Sequence, residues 1–313
     1  MEKNNIKGTL ILLLTALIWG FAFVAQTAAT DSMPPFAFNA VRSLIGTLVI
    51  LLLNLIKKKR TAGYLIFPTT RRERKDAITA AIFCGICLSI AVNLQQVGLG
   101  TYPHGIAASA RGGFITTIYV VIVPFFSLFS KKAPHPLVWV AVAVAMFGTY
   151  LLCLSDGISG MYLGDILMML CALSYSFQIL TVDMVGWRVG GLRLSLYQFI
   201  ICTVISALLS LIFEKNGFAL SNIAGAFWPI MYVGVLSSGV AYTLQIAGQR
   251  YADATVASIV MSFESVFAAI GGAIAGEGPL SSREIAGCAL VFAAILTAQL
   301  PDFIRAKRER KTG

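Results

Sequence analysis

Three charged side chains lie inside long apolar stretches of the sequence, where an ionised group is costly. Arg42 and Arg111 each lie about 6 residues into a predicted membrane span, which puts both roughly 9 Å below one surface. Glu264 lies about 10 residues into another span, near its middle. These positions predict recognition of a substrate carboxylate by the arginines, and binding of an amine or a coupling proton by Glu264. The alternative is that either arginine pairs with Glu264 or a helix C-terminus and only fixes packing.

Uncharged polar side chains recur three or four residues apart on three further spans, which places each set on one helical face. The sets are Ser89, Asn93 and Gln96; Ser174, Gln178 and Thr181; and Ser238, Tyr242 and Gln245. Such faces meet a neighbouring helix or water, so they predict interhelical hydrogen bonds or the wall of a polar cavity. Trp19 and Tyr175 could flank a substrate, with packing at the lipid interface as the alternative.

These residues define one candidate substrate-binding cavity. Its predicted members are Trp19, Arg42, Asn93, Gln96, Arg111, Tyr175, Gln178, Tyr242, Gln245 and Glu264.

Motifs for catalysis or cofactor binding are not found in the sequence. The two histidines, His104 and His135, fall near predicted loops, and no phosphate-binding glycine loop, paired-histidine metal motif or nucleophile elbow occurs. Cys84 and Cys87 have the spacing of a redox pair, but they lie within an apolar span rather than in a soluble βαβ unit. We therefore expect no enzyme activity, no cofactor and no bound metal.

Membrane-spanning helices are the elements that must position these residues. The chain is 58% hydrophobic and 12% charged, whereas soluble domains carry about 25% charged residues. A spanning helix needs roughly 20 apolar residues. Ten spans are predicted, at about 7–27, 36–56, 77–98, 105–129, 137–154, 162–182, 193–213, 226–248, 254–276 and 284–300.

The distribution of positive charge predicts the orientation of these spans. Of the 24 Lys and Arg residues, Arg42 and Arg111 lie within spans, and Lys215 and Arg283 lie in one set of loops. All the others lie in the alternate loops and the two tails. The positive-inside rule then places both termini in the cytoplasm of a cell-membrane protein. The net charge of +10 is explained by this topology, so we expect the lipid bilayer and no nucleic acid as a partner.

The second half of the chain echoes the first. Residues 8–56 align with 164–212 at an offset of 156, and a second stretch aligns at an offset of 149. The matches that carry most weight are Gly8/Gly164, Thr47/Thr203, Gly85/Gly234, Ser89/Ser238, Gln96/Gln245, Tyr102/Tyr251 and Ser109/Ser258. Because five is an odd number of membrane crossings, the first repeat ends on the side opposite to where it began. The second copy must therefore enter the membrane from the opposite side, as in secondary transporters. The prediction is an all-α membrane protein with ten transmembrane helices in two inverted five-helix repeats, residues 1–155 and 156–313, forming one integral membrane unit.

Four stretches resemble the EamA-like branch of the drug/metabolite transporter superfamily. They are Ile18-Trp19-Gly20-Phe21, Arg42 in the second span, Gly113 to Pro124, and Glu264 to Ala268 followed by Gly276-Glu277. Ser265 differs from that family, in which a proline commonly follows the glutamate. The resemblance implies a cavity enclosed by spans 1–4 and 6–9, peripheral spans 5 and 10, and transport of small metabolites, often export of amino acids or related compounds.

The expected function is therefore secondary-active transport of a small molecule by alternating access. Proton coupling or exchange, and a homodimer, are further expectations. The alternatives are a passive channel or facilitator, and a membrane-embedded enzyme that acts on lipid head groups.

Overall fold

The computed structural model describes residues 5–68, 70–103, 105–128, 134–153, 162–276 and 281–312, and within these ranges the chain is nearly all helical. His104, Lys131, Lys132 and Glu277 lie outside them. The helices are α1 (Asn5–Ala29), α2 (Pro35–Arg60), α3 (Arg71–Gly100), α4 (Ala108–Thr116), α5 (Tyr119–Ser127), α6 (Pro136–Cys153), α7 (Leu163–Val189), α8 (Gly191–Phe213), α9 (Leu220–Gly225), α10 (Phe227–Met231), the π-helix π1 (Tyr232–Ala241), α11 (Tyr242–Gly248), α12 (Ala254–Met261), α13 (Glu264–Ile274) and α14 (Ser282–Thr312).

Eight helical segments of the described chain are long and apolar enough to cross a membrane. Two shorter apolar helices, Pro136–Leu151 and Ile285–Ala298, occupy the positions of the predicted fifth and tenth spans. The prediction of a multi-pass, helical membrane protein is confirmed, whereas the number of ten crossings stays a prediction.

Three predicted spans are not continuous α-helices. The fourth is divided between α4 and α5, the ninth between α12 and α13, and the eighth contains π1. Hydroxyl groups at the breaks bond to the backbone one turn earlier: Thr117 Oγ1 donates to Phe114 O at 2.7 Å, and Ser262 Oγ donates to Ile259 O at 2.7 Å. Such bonds compete with the helical ladder, so the ninth span is interrupted next to Ser265 without a proline.

The helices α2 and α8, which are repeat partners, run in opposite directions. At one end of the pair, Glu214 after α8 accepts hydrogen bonds from the backbone N–H groups of Phe36 and Ala37 at 2.7 and 2.8 Å. At the other end, Asn54 Nδ2 donates to Leu192 O at 3.0 Å. Between these ends the hydroxyls of Thr47 and Thr203 lie 3.3 Å apart. Since these threonines are equivalent in the two repeats, the axis that relates the halves passes close to them.

A second pair of equivalent contacts involves the matched glycines and tyrosines. A Cβ atom added to Gly8 would lie 2.7 Å from Tyr251 Cβ, and one added to Gly164 would lie 2.8 Å from the ring of Tyr102. The first contact joins α1 to the end of the eighth span, and the second joins α7 to the end of α3. In both repeats a matched glycine therefore packs against a matched tyrosine, at the Cβ atom in one case and at the ring in the other.

The helices around the cavity can be divided into two groups, which also pack against each other extensively along α2 and α8. One group contains α1, α2, π1 with α11, and α12 with α13; the other contains α3, α4 with α5, α7 and α8. The main neighbour of α6 is α14. This arrangement places the candidate site where elements from both repeats meet.

Candidate functional site

A small cavity lies between the two groups of helices. The space open to the centre of a water molecule is about 30 Å³, enough for about two waters. Six of the predicted site residues line it, namely Trp19, Arg42, Tyr175, Tyr242, Gln245 and Glu264. The other lining residues are Ala22, Phe23, Gln26, Gln95, Thr116, Tyr119, Ile179 and Ser237.

Arg42 presents an unpaired nitrogen to this cavity. The residue is 2% exposed, and its Nε donates to Asn39 Oδ1 at 2.6 Å. Its Nη2 atom is buried without a hydrogen-bond partner. Because a buried donor normally finds an acceptor, this guanidinium is poised to receive one from a ligand.

Glu264 lies at the cavity and belongs to the second repeat, whereas its hydrogen-bond donor belongs to the first. It is 3% exposed, and its Oε1 accepts a hydrogen bond from Tyr119 Oη at 3.0 Å. In the part of the chain that the structure describes, no cation pairs with this carboxyl group. The sequence left open a pairing of Glu264 with Arg42 or Arg111, and neither pairing is present.

Aromatic rings form one wall of the cavity. The Trp19 ring lies 4.8 Å from that of Tyr242, and the hydroxyls of Tyr242 and Tyr175 lie 2.9 Å apart. Trp19 Nε1 and Gln26 Oε1 are buried without hydrogen-bond partners. The cavity thus offers a donor and an acceptor beside an apolar face, in addition to its two charged groups.

Three further predicted residues support the cavity without lining it. Gln178 exchanges hydrogen bonds with Gln245 at 3.0 and 3.5 Å. Asn93 Oδ1 accepts from Asn39 Nδ2 at 3.0 Å, so it fixes the residue that holds Arg42. Gln96 Nε2 donates to Gln26 O at 3.0 Å.

Arg111 is the predicted site residue that the structure places elsewhere. Its Nε and Nη2 donate to the two oxygens of Asp165 at 2.8 and 2.7 Å, which makes a bidentate ion pair between α4 and α7. Tyr102 Oη donates to the same carboxylate at 3.0 Å, and Tyr162 N donates to it at 2.9 Å. Burial and the adjacent Asp165 charge raise the pKa of Tyr102, so its hydroxyl remains a neutral donor.

A much larger cavity of about 1140 Å³ opens at the membrane face that is predicted to be cytoplasmic. Its walls include the start of α3 at Lys75, the end of α7 at Arg188 and the start of α12 at Asp253. At the other face the two groups are in contact: Ser109 Oγ donates to Thr27 Oγ1 at 3.1 Å, and a Cβ added to Gly113 would lie 3.0 Å from Ala268 Cβ.

Sequence reasoning missed several residues that complete the site. Tyr119 and Asn39 are the direct partners of Glu264 and Arg42, and Asp165 is the partner of Arg111. Asn39 lies three residues before Arg42 on one helical face, which is a signal that could have been used. Tyr119 and Asp165 lie far from their partners in sequence and carry no such signal.

Comparison with known proteins identifies the family. The model of the EamA-like transporter family matches residues 6–154 and again residues 162–298. An uncharacterized transporter of Archaeoglobus fulgidus is 29% identical over 295 residues, which cover 92% of this chain and 84% of that protein. The uncharacterized transporter YoaV of Bacillus subtilis is 21% identical, with 91% and 94% covered. The uncharacterized inner membrane transporter YedA of Escherichia coli is 23% identical, with 90% and 87% covered.

A solved crystal structure shares the fold. It superposes with a TM-score of 0.74 at 19% sequence identity, and the match covers 94% of this chain and 96% of the other. The chain belongs to the EamA-like transporter family of the drug/metabolite transporter superfamily.

Proposed function

We propose that this chain is a secondary-active transporter of small metabolites that works by alternating access. The observation that carries the proposal is the cavity between the two groups, which holds the unpaired Nη2 of Arg42 and the carboxyl of Glu264. A cation buried in a membrane protein without a counter-ion favours an anionic ligand.

The proposed substrate carries a carboxylate and an apolar part. Its carboxylate would accept from Arg42 Nη2, and its apolar part would lie against Trp19 and Tyr242. Glu264 would bind an amine or carry a coupling proton. Amino acids and related compounds have this chemistry, and the proposed direction is export.

The small volume of the cavity supports a carrier rather than an open pore. Ligand pockets usually measure about 300–1,000 Å³, so a space of about 30 Å³ admits a metabolite only after the groups separate. The larger cavity at the opposite end from the Ser109–Thr27 contact supports entry from the predicted cytoplasmic side.

A passive channel or facilitator is the second candidate, and a lipid head-group enzyme is a weaker third. A thermal-shift screen comes first and identifies a ligand, since a ligand stabilises the state that it binds. Counterflow of that ligand in proteoliposomes then distinguishes a carrier from a channel or facilitator. Trans-stimulation by unlabelled ligand is expected of a carrier. Flux independent of ligand on the far side would contradict the proposal.

The coupling role of Glu264 is tested by Glu264→Gln, because glutamine resembles the protonated acid. We expect this variant to lose transport driven by a pH gradient and to keep exchange at equal pH. Asp31→Asn, which removes an exposed carboxylate outside the cavity, is the matched control and should behave as the wild type. Full gradient-driven transport by Glu264→Gln would exclude coupling at this residue.

A further inference from the structure

Three cations from three separate elements converge at the membrane face that is predicted to be cytoplasmic. Lys57 lies in the last turn of α2, Arg193 in the first turn of α8, and Arg250 just after α11. Lys57 Nζ and Arg193 Cζ lie 4.6 and 4.8 Å from the ring centroid of Tyr64. Burial raises the pKa of Tyr64, while a hydrogen bond from the Arg193 side chain and the charges of Arg193 and Arg250 oppose that rise, so all three cations lie within electrostatic reach of one ring.

Within the part of the chain that the structure describes, the cluster carries an uncompensated positive charge. Among the residues that the structure describes, no carboxylate pairs with Lys57, Arg193 or Arg250. Asp253, the carboxylate closest to Arg250 in sequence, instead accepts from Val256 N at 2.9 Å and caps α12. Like charges held together repel one another, so the cluster favours an anion that is not part of the chain.

One donor atom at the cluster lacks an acceptor, and the helix start beside it has no side-chain cap. Arg193 Nε is buried without a hydrogen-bond partner. The N-terminus of α8 has no side-chain cap, because its N-cap residue is Gly190, with a φ of 91°. Free N–H groups at the start of a long helix attract negative charge, as do the cations beside them.

Exposed apolar side chains next to the cluster point to a lipid as the source of the anion. Leu65 is 42% exposed and Phe67 is 64% exposed, although both lie in a loop outside the predicted spans. The Phe67 ring stacks on Tyr197 at 5.8 Å, and Tyr197 Oη donates to Ile66 O. The loop is thereby held against the start of α8, where its apolar side chains can contact acyl chains beneath the head groups.

We propose that Lys57, Arg193 and Arg250, arranged around Tyr64, bind the phosphate of an anionic phospholipid in the adjacent leaflet. The bound head group would join α2 of the first repeat to α8 and the turn after α11 in the second. A free phosphate ion has the same head-group chemistry but makes no use of Leu65 and Phe67. This site is separate from the proposed substrate cavity and does not depend on its function.

Native mass spectrometry of the detergent-purified protein tests the proposal, with phosphatidylglycerol and phosphatidylcholine as the probes. The wild type should retain phosphatidylglycerol in preference to phosphatidylcholine. Each cation near a membrane surface contributes a factor of about five to binding of anionic lipid. The triple variant Lys57→Gln/Arg193→Gln/Arg250→Gln should therefore lose the preference.

The matched control is Lys58→Gln/Lys59→Gln/Arg60→Gln, which removes three exposed cations from the same helix end. The control should keep the preference for phosphatidylglycerol. If both triple variants lost the preference for phosphatidylglycerol equally, the lipid would be attracted to the basic surface in general. That result would overturn the proposed site. If the cluster variant does not fold, the three single variants carry the test, and each should weaken retention about fivefold.

Inorganic phosphate distinguishes a lipid site from a free-anion site. We expect millimolar phosphate to leave bound phosphatidylglycerol in place. Displacement of the lipid by phosphate, together with equal thermal stabilisation by phosphate alone, would assign the cluster to a soluble anion and overturn the lipid proposal.

Discussion

At the scale of single residues, the two arginines that look alike in the sequence have different surroundings. Arg42 has an unpaired nitrogen at the cavity, whereas Arg111 is held in a bidentate ion pair with Asp165. The depth of a charged residue in an apolar span therefore predicts that the residue has a role. It does not show whether that role is to bind a ligand or to hold two helices together. The distinction depends on partners that lie far away in sequence.

Replacement of Arg42 by methionine should abolish transport with little loss of folding. Methionine leaves Asn39 Oδ1 without its donor, but it also removes a buried cation whose Nη2 has no partner, and these two effects on stability oppose each other. Proteoliposome uptake and the melting temperature are the measurements. Arg42→Lys, which keeps the charge but not the planar fork, should recover only part of the uptake. Unchanged transport by Arg42→Met would contradict a role in substrate binding.

Replacement of Asp165 by asparagine should instead destabilise the protein. Removal of one partner from this part-buried ion pair should cost about 1–3 kcal/mol, because the other charge loses its hydrogen-bond partner. A fall in the melting temperature measured in detergent checks this. The double variant Arg111→Met/Asp165→Leu removes both charges and should be more stable than Asp165→Asn alone. If Asp165→Asn melted like the wild type, the ion pair would have no structural role.

The sequence was most informative where a residue type conflicts with its surroundings. Arg42 and Glu264 could be placed at the site because a charge in an apolar span has few explanations. Tyr119 and Asn39 could not, since neutral polar residues are tolerated in many positions of a membrane helix. Their roles depend on which helices become neighbours.

At the scale of elements, close helix contacts rest on individual glycines. A Cβ atom added to Gly20 of α1 would overlap Phe267 Cβ and would lie 2.7 Å from Glu264 O. These atoms belong to α13 near the cavity, so α1 and Glu264 are positioned by the same contact.

Gly20→Ala should therefore separate α1 from α13. Overpacking of this kind costs roughly 1–3 kcal/mol, and it should lower both the melting temperature and the transport rate. Gly100→Ala is the matched control, because its added Cβ would meet nothing closer than 3.7 Å. Equal melting temperatures for the two variants would show that the α1–α13 contact is not tight.

Helix interruptions were the least predictable elements. The breaks after Thr116 and Met261 and the π-helix from Tyr232 involve no proline at the break, and their apolar sequences read as continuous spans. Serine and threonine hydroxyls loosen these helices, but the same residues occur in unbroken stretches. Local sequence therefore predicted the existence of the spans and not their irregular geometry.

At the scale of the whole molecule, orientation in the membrane is still a prediction. Single cysteines at Leu65 and Leu220, both exposed, should differ in their reaction with a membrane-impermeant maleimide added to intact cells. We expect labelling at position 220 and none at position 65, because the second lies among the cytoplasmic cations. Labelling at position 65 in sealed cells would invert the topology. The native Cys84, Cys87, Cys171 and Cys202 are buried and should contribute little background, whereas the partly exposed Cys288 has to be replaced first.

The inverted repeat was predictable from a few matched residues, and the structure explains which matches were informative. Gly8 with Tyr251 and Gly164 with Tyr102 form equivalent contacts, so their residue types are restricted in both halves. The apolar matches carry little information because lipid-facing positions accept many side chains. The position of the axis could not be predicted, since it depends on how α2 and α8 cross.

The contact between Thr47 and Thr203 has a consequence for how the two halves can diverge. Most residues are surrounded by unrelated neighbours, but each of these threonines has its own duplicate as a neighbour, 3.3 Å away. A larger side chain in one half would meet the unchanged copy in the other, so a change at one position favours a change at the other. The residue types of the two halves can differ at the cavity, where Arg42 and Glu264 have no duplicates. They are most restricted at the axis that relates the halves.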